Sequence, residues 1–493
     1  MCDDLNDYVG GFDGHPQVQT PSMEKLAASG MTFTNAQCNY PACVPSRNSL
    51  IHGIYPHNAS SAWMPWSKSK VFSGSKTMMT YFKENGYQVI GTGKIDHYKN
   101  PNEWSKYYNM PDYGPFWKSG DTLVAHPKVL APFRDIGSVD GSFGSIESAL
   151  EAGKESHWHY APHKWKAKPK KMTKDPTWGW MTPDKKNALL AKRLLSSDTS
   201  GLSEPFFLSV GFIRPHTPLH VEEKHFDAFP LEKLKLNPIK KDDAQDSHLK
   251  DLVDRKESKG FRYFNDISKS YGSSEKGLKI FLQAYLASIR AVDANIGLVL
   301  AALEDSPYKD NTIVVLTSDH GWQMGEKDWL FKGSPWEEST RVPMIVRVPG
   351  MTKGGSQCTK PVSLVDIYPT LSDLCSLKGS TIKNKHGKPL DGHSMRPFLS
   401  EAEKAQWSGP DAALTLIRST QFQKGDESTN HFSLRSEGFR YIRYSNGEEE
   451  LYNHTTDPHE WKNLAYEADY SGQKKSLRES LNQVTGFEFS FKN

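Results

Sequence analysis

Cysteine is scarce in this chain and unevenly placed. Its 493 residues include only Cys2, Cys38, Cys43, Cys358 and Cys375. An odd number at irregular spacing leaves no readable disulfide framework and no C-x-x-C zinc pattern. A dominant charge is also missing. The net charge of +3 implies no polyanion-binding tail and no nucleic-acid partner. No apolar run approaches the roughly 20 residues of a membrane-spanning helix, so no membrane span is expected. No signal peptide and no internal repeat are visible. What is present is ordinary for a globular protein: 37% hydrophobic and 24% charged residues. The length suits about two to four domains.

Local signals alternate between helix and buried strand. Thr20 to Gly30 reads as a helix with Thr20 as its N-cap, Pro21 at its first position and Gly30 at its stop. Residues 76 to 85 read as a second helix. Residues 275 to 304 read as a long one, with Leu278, Phe281, Leu282, Tyr285, Ile289 and Val292 on one face. Tyr87 to Gly91, Pro205 to Phe212, Thr312 to Thr317 and Pro343 to Val348 read as strands. Continuous apolar strands between helices predict an α/β fold, a large and mostly parallel sheet covered on both faces. Residues 96 to 180, polar, aromatic and rich in Gly and Pro, read as insertions. Composition changes near residue 400. Beyond it Gly438 to Tyr444 and Glu450 to Asn453 alternate around Ser445-Asn446-Gly447, which predicts a smaller antiparallel C-terminal subdomain. We therefore divide the chain at 1–400 and 401–493.

Ligands of such sheets gather beyond the C-terminal strand ends. Lys94, His216 and the pair Asp319-His320 all fall there. The densest chemistry is at Cys43-Val44-Pro45-Ser46-Arg47, with Gly53 six residues on. Pro45 suits a first helical turn and Gly53 a helix end. Cys43 is then expected at a helix N-terminus, where free N–H groups favour a thiolate or alkoxide. Arg47 follows one turn later on the same face.

Cys-x-Pro-Ser-Arg followed by that glycine resembles the signature of type I sulfatases, in which the cysteine is oxidised to formylglycine. The resemblance runs from Asp3 to about Leu464. It implies an alkaline-phosphatase-like fold and hydrolysis of sulfate esters with Cys43 as nucleophile precursor and Arg47 beside it. It also implies one divalent cation, read as calcium, at Asp3, Asp4, Asp319 and His320. Most members carry Asn where His320 stands, and Asp319-His320-Gly321-Trp322 is similar to the iduronate-2-sulfatase branch. Lys94 and His97 match the Gly-Lys segment, with the wider Lys-x-x-His spacing of that branch. His216, in Pro215-His216-Thr217-Pro218, matches a sulfate-contacting histidine suited to general acid work. Of two lysines after Gly325-Glu326, Lys332 rather than Lys327 is taken as the sulfate ligand. The implied partners are a sulfated carbohydrate and a formylglycine-generating enzyme.

The chain starts two residues before the Asp pair, where the family has an apolar strand. That strand is expected to be absent, together with any export signal, which would direct the protein to the periplasm or outside the cell. A phosphodiesterase or phosphonate monoester hydrolase of the same superfamily, and a non-catalytic glycan-binding relative, are the rival readings. His157, His159 and His163 are read as loop or substrate contacts. Lys164, Lys166, Lys168, Lys170, Lys171 and Lys174 are read as a solvated run, or as a rim for an anionic polysaccharide.

Overall fold

The computed structural model describes all residues except 60–64, 98–99, 148–156, 162–169, 197–201, 254–257, 403–404, 490 and 492–493. The candidate contacts His163, Lys164, Lys166 and Lys168 therefore lie outside the described residues.

Seven strands build the main sheet: β1 (Met31–Phe33), β2 (Gln88–Gly93), β3 (Lys106–Tyr107), β4 (Phe206–Gly211), β5 (Val314–Thr317), β6 (Met344–Arg347) and β7 (Ser356–Cys358). Their order falls into two blocks, β3-β2-β4 and β5-β6-β1-β7. Within the blocks β6 alone runs antiparallel to its neighbours, so the sheet is mostly parallel, as expected.

Helices cover both faces. On one side lies α6 (Ser274–Glu304), packed against α1 (Pro21–Ser29), α4 (Pro183–Leu195) and α5 (Lys259–Tyr271). Its apolar face is the one read from the sequence. It is long and apolar enough to cross a membrane by composition, yet it is a core helix here. On the other side lie α2 (Cys43–His52) and α3 (Met78–Glu84), with Leu50, Ile51, Met79 and Phe82 in a second core. Helix α1 begins where expected, but Thr20 does not cap it. The Thr20 hydroxyl donates to Glu24 and accepts from the Gly10 amide instead.

The two sheet blocks are joined by the first residues of the chain. The Met1 ammonium donates to Val210 O at 3.0 Å, Phe212 N donates to Met1 O at 2.9 Å and Cys2 N donates to Thr317 O at 3.0 Å. Cys2 and Asp3 form parallel bridges to Ser318 and Pro215. Behind Met1, between the facing edges of β4 and β5, is a slot of about 590 Å³. Leu26, Ile296 and Leu300 line it from one layer, and Ile51, Met79 and Phe82 from the other. The Asp pair is thereby seated between the ends of β4 and β5.

The C-terminal sheet is β8 (Ala412–Ile417), β9 (His431–Ser436), β10 (Phe439–Arg443) and β11 (Glu449–Asn453), antiparallel in chain order. It grips the segment that follows Lys332. Arg440 donates to Pro335 O at 3.1 Å, Ser433 to the same carbonyl at 2.9 Å, and Trp336 Nε1 to Glu450 at 2.9 Å. Glu337 is buried between Arg440 and Arg435. Glu337, His454 and Glu460 are close enough to hold a metal, but Arg435 and Arg440 already neutralise the carboxylates, so we read an ion-pair cluster.

Burial opposes ionisation of Glu337, but Arg435 and Arg440 hold its carboxyl well below the usual range. Its contribution is present above the ordinary glutamate pKa and is lost as pH falls through the lower, folded value. Glu337→Gln should cost about 3–5 kcal/mol at pH 7 by stranding the arginines. The difference in stability from wild type should shrink below about pH 4 in urea titrations.

Candidate active site

Helix α2 opens at Cys43 and ends at Gly53, whose φ of 64° suits a residue without a side chain. Its N-terminus points at the C-terminal ends of β4 and β5. Loops after β2, β4 and β5 bring Lys94, His216, Asp319 and His320 to the same place as Asp3 and Asp4.

Arg47 is fully buried and is the hub. Its Nε donates to Asp319 Oδ2 at 2.8 Å and one terminal nitrogen to Asp3 Oδ1 at 3.0 Å. The other donates to the carbonyls of Lys94 and Ile95 at 2.7 and 2.9 Å. The guanidinium thus fixes two carboxylates and the loop bearing Lys94; these hydrogen bonds do not go to Cys43. Lys94 Nζ pairs with Asp3 Oδ2. Lys332 Nζ reaches both oxygens of Asp4, at 2.8 and 3.0 Å, and Cys43 Sγ at 3.2 Å. Lys327, the alternative, is turned away to Asp243 and the Glu460 carbonyl. His320 stands at 3.2 Å from Cys43 Sγ, 3.3 Å from Asp4 and 3.6 Å from Asp319, all through Nε2. Its Nδ1 faces the Gly321 carbonyl at 3.0 Å. A carbonyl only accepts, so Nδ1 donates there, and in that neutral tautomer Nε2 would present a lone pair inward.

His216 Nε2 is 3.8 Å from Asp4 Oδ2, and its Nδ1 faces the Thr217 carbonyl. His97 is half-buried on the loop after Lys94; none of the contacts described above involves it. The other nine residues expected at the site are brought together. Cys43, His216 and Lys332 are 8, 8 and 9% exposed, whereas the remainder are at most 1% exposed. The mouth of the site therefore opens onto the thiol, that histidine and that lysine.

Burial is the largest influence on these groups. It pushes Asp4 up to about 8, although Lys332 and His320 oppose it. Burial opposes ionisation of Asp3 as well, but Lys94 and Arg47 win and hold its carboxyl well below the usual range. Burial also raises the Cys43 thiol, and Lys332 and Lys94 do not offset it. The thiolate expected from the helix N-terminus is thus disfavoured, because desolvation outweighs the helix end and two lysines. A cysteine here is a poor nucleophile unless it is changed chemically.

Three carboxylates and one imidazole lone pair converge, a donor set that fits a divalent cation bound mainly by oxygen. Asp3, Cys43, Asp319 and His320 offer ligand atoms within 4.8 Å of one another, as do Asp3, Asp4, Cys43 and His216.

Residues 1–377 match the family model described as Sulfatase. The chain belongs to the sulfatase family. Residues 325–486 also match the model for the C-terminal part of N-sulphoglucosamine sulphohydrolase. A sulfatase of Formosa agariphila is 30% identical over 97% of this chain and 84% of its own length. Iduronate 2-sulfatase of Mus musculus is 28% identical over 76% of this chain and 68% of its own. Among solved structures, the phosphonate monoester hydrolase of Agrobacterium radiobacter superposes with a TM-score of 0.72 at 22% identity, covering 98% of this chain and 94% of that one. An enzyme in complex with its substrate D-glucosamine-2-N,6-O-disulfate does so with 0.67 at 20%, covering 99% and 97%. At such identities these two likenesses speak for the alkaline-phosphatase-like fold.

Two neighbours of this sulfatase's site went unread in the sequence. Tyr113 packs edge-on to His216 at 4.9 Å, and Lys94 Nζ stands 4.8 Å from its ring centre. Asp140 accepts from Thr217 Oγ1 at 2.9 Å. Tyr113 and Asp140 belong to the insertion, where no periodicity or motif marks them. Of the histidines noted there, His157 and His159 flank the buried Trp158 in a small sheet.

A cation held by this donor set would bind the folded state only, so calcium added to the metal-free protein should raise the Tm. Asp319→Asn should abolish that rise while leaving the protein folded, as thermal-shift titration and circular dichroism can show.

Proposed function

We propose that this sulfatase removes O-sulfate from a carbohydrate, through formylglycine made from Cys43. The observation that carries the reading is the placement of Cys43 Sγ. It sits at a helix N-terminus, at the open mouth, 3.2 Å from both Lys332 and His320. The sulfur marks where the hydroxyls of a hydrated formylglycine would stand.

Asp3, Asp4, Asp319 and His320 would hold the cation, for which calcium suits three carboxylates. Its charge, when bound, would favour an alkoxide and offset the charge of the sulfate. Arg47 holds Asp3 and Asp319 in ligand geometry. One hydroxyl at position 43 attacks sulfur in line. Lys94 and Lys332, which Asp3 and Asp4 would release on holding a cation, take the sulfate oxygens and stabilise the charge moving to the leaving oxygen. His216 supplies a proton to that oxygen. In the free site burial, with Lys332 and Lys94 adjoining, holds His216 well below the usual imidazole range. An anion seated between those lysines reverses the local potential and favours the imidazolium. The second hydroxyl then loses its proton, a task we assign to His97, and sulfate leaves with the aldehyde restored.

Sulfated carbohydrate as the substrate class is supported by the iduronate 2-sulfatase relative and the disulfated glucosamine complex. The insertion's Trp side chains and lysines agree with it. Against the non-catalytic reading, Asp3 and Asp4 sit beside Asp319, His320 and Cys43. The division at residue 400 is supported by the C-terminal sheet, which begins at Ala412.

The test begins with protein made alongside a formylglycine-generating enzyme. Mass spectrometry of the tryptic peptide from Leu26 to Arg47 should show the Cys43 sulfur lost and an aldehyde gained. Sulfate release should then exceed phosphate release across matched saccharide esters, and Cys43→Ala should fall to background. Faster phosphonate or phosphate ester turnover would instead favour the hydrolase whose fold it shares. Persistent turnover in Cys43→Ala would rule out the nucleophile.

A further inference from the structure

Asp140 lies in the insertion, away from every motif of the site, yet one of its oxygens reaches the residue beside His216 and the other is held by α5. Thr217 Oγ1 donates to Oδ1 at 2.9 Å. Tyr263 donates to Oδ2 at 2.8 Å and Lys259 Nζ at 3.1 Å. Lys259 and Tyr263 stand on α5, so the carboxylate is pinned to the helical layer. Burial opposes its ionisation, but Lys259, with the Tyr263 hydrogen bond, prevails and holds it at about 2. It is an anion at any working pH. Thr217 adjoins His216, and its carbonyl is the partner of His216 Nδ1. Arg214 holds the His216 carbonyl at 2.9 Å, and Tyr113 closes the other side of the ring. The imidazole is left one open direction, through Nε2 toward Asp4.

We propose that Asp140, through Thr217, is a positioning residue that aims His216 Nε2 at the leaving oxygen. The insertion then contributes to the chemical step as well as to substrate fit. This rests on His216 being the proton donor proposed above. In that step the bond from sulfur to the leaving oxygen breaks and its electron pair goes to that oxygen. The Nε2 proton moves there, and a new bond joins sulfur to the oxygen at position 43. A neutral imidazole remains, with its Nδ1 proton still donated to the Thr217 carbonyl. A leaving group that is stable as an anion needs no such proton; a basic one does.

The experiment compares formylglycine-bearing wild type, Thr217→Val, Asp140→Asn and His216→Ala on 4-nitrophenyl, phenyl and 4-methoxyphenyl sulfate. General acid catalysis is worth about 10²–10⁴-fold, so a misaimed donor should forfeit roughly 10–100-fold of kcat on 4-methoxyphenyl sulfate. Loss on 4-nitrophenyl sulfate should stay within about threefold and KM should hardly move, because a departing anion draws on no acid. Thr217→Ser, which keeps the hydroxyl, should restore wild-type rates. Equal losses on all three esters in both Thr217→Val and Asp140→Asn would mean a structural role only and would overturn the proposal. Thr217→Val is isosteric; should it fail to fold, Asp140→Asn decides. His216→Ala separates the two ideas. If its losses are equal on all esters, the donor assignment itself is wrong. If they are selective while those of the other two variants are not, the donor stands and the positioning role falls.

Discussion

Everything at this site depends on a balance of buried charge. Asp3, Asp4 and Asp319 lie with Arg47, Lys94 and Lys332 where almost no water reaches. An isolated ion there would cost several kcal/mol, so each is tolerable only beside its partner. Arg47 carries most of this arrangement, because its planar donors engage two carboxylates from different segments and two carbonyls at once. Lysine could not reproduce that set. The hub ties the start of α2 to the ends of three chain segments, so the nucleophile position and the carboxylates move as one body.

A second constraint acts from behind. The strand β5 presents Asp319 and His320 directly, but Lys332 comes from an irregular segment with a residue, Lys327, in a left-handed conformation. What keeps that segment in place is the C-terminal sheet, through Arg440, Ser433 and Trp336. Lys327 itself serves this anchoring, buried between Asp243 and the Glu460 carbonyl. The subdomain therefore bears on the shape of the site although it lends no side chain to the nine that converge. It holds the lysine nearest the mouth at 3.2 Å from Cys43.

The parts legible in sequence were those where chemistry and backbone signal coincide. Cys43, Arg47 and Gly53 share one helix, and Asp319-His320 ends a strand, so their spacing already states their geometry. Helix α6 and the C-terminal hairpin were legible from periodicity alone. The reversal of β6 was not, because a short apolar run such as Met344–Arg347 reads the same whichever way it pairs. The acidity of Cys43 was misjudged for a related reason: desolvation is set by the layers packed around it, not by its five-residue motif. Tyr113 and Asp140 were invisible because their contacts with the site are tertiary and they lie in a stretch with no period.

The same balance bears on the proposed function. Lys94 and Lys332 pair with Asp3 and Asp4 across the pocket. A divalent ion held by those carboxylates would leave two ammonium groups without their partners. Such a state would be costly unless an anion followed, so on the proposed function cation and sulfate binding would reinforce each other by linkage through shared charges. The exposure pattern is consistent with that order: Asp3, Asp319 and His320 are sealed, whereas Lys332, Cys43 and His216 face the mouth.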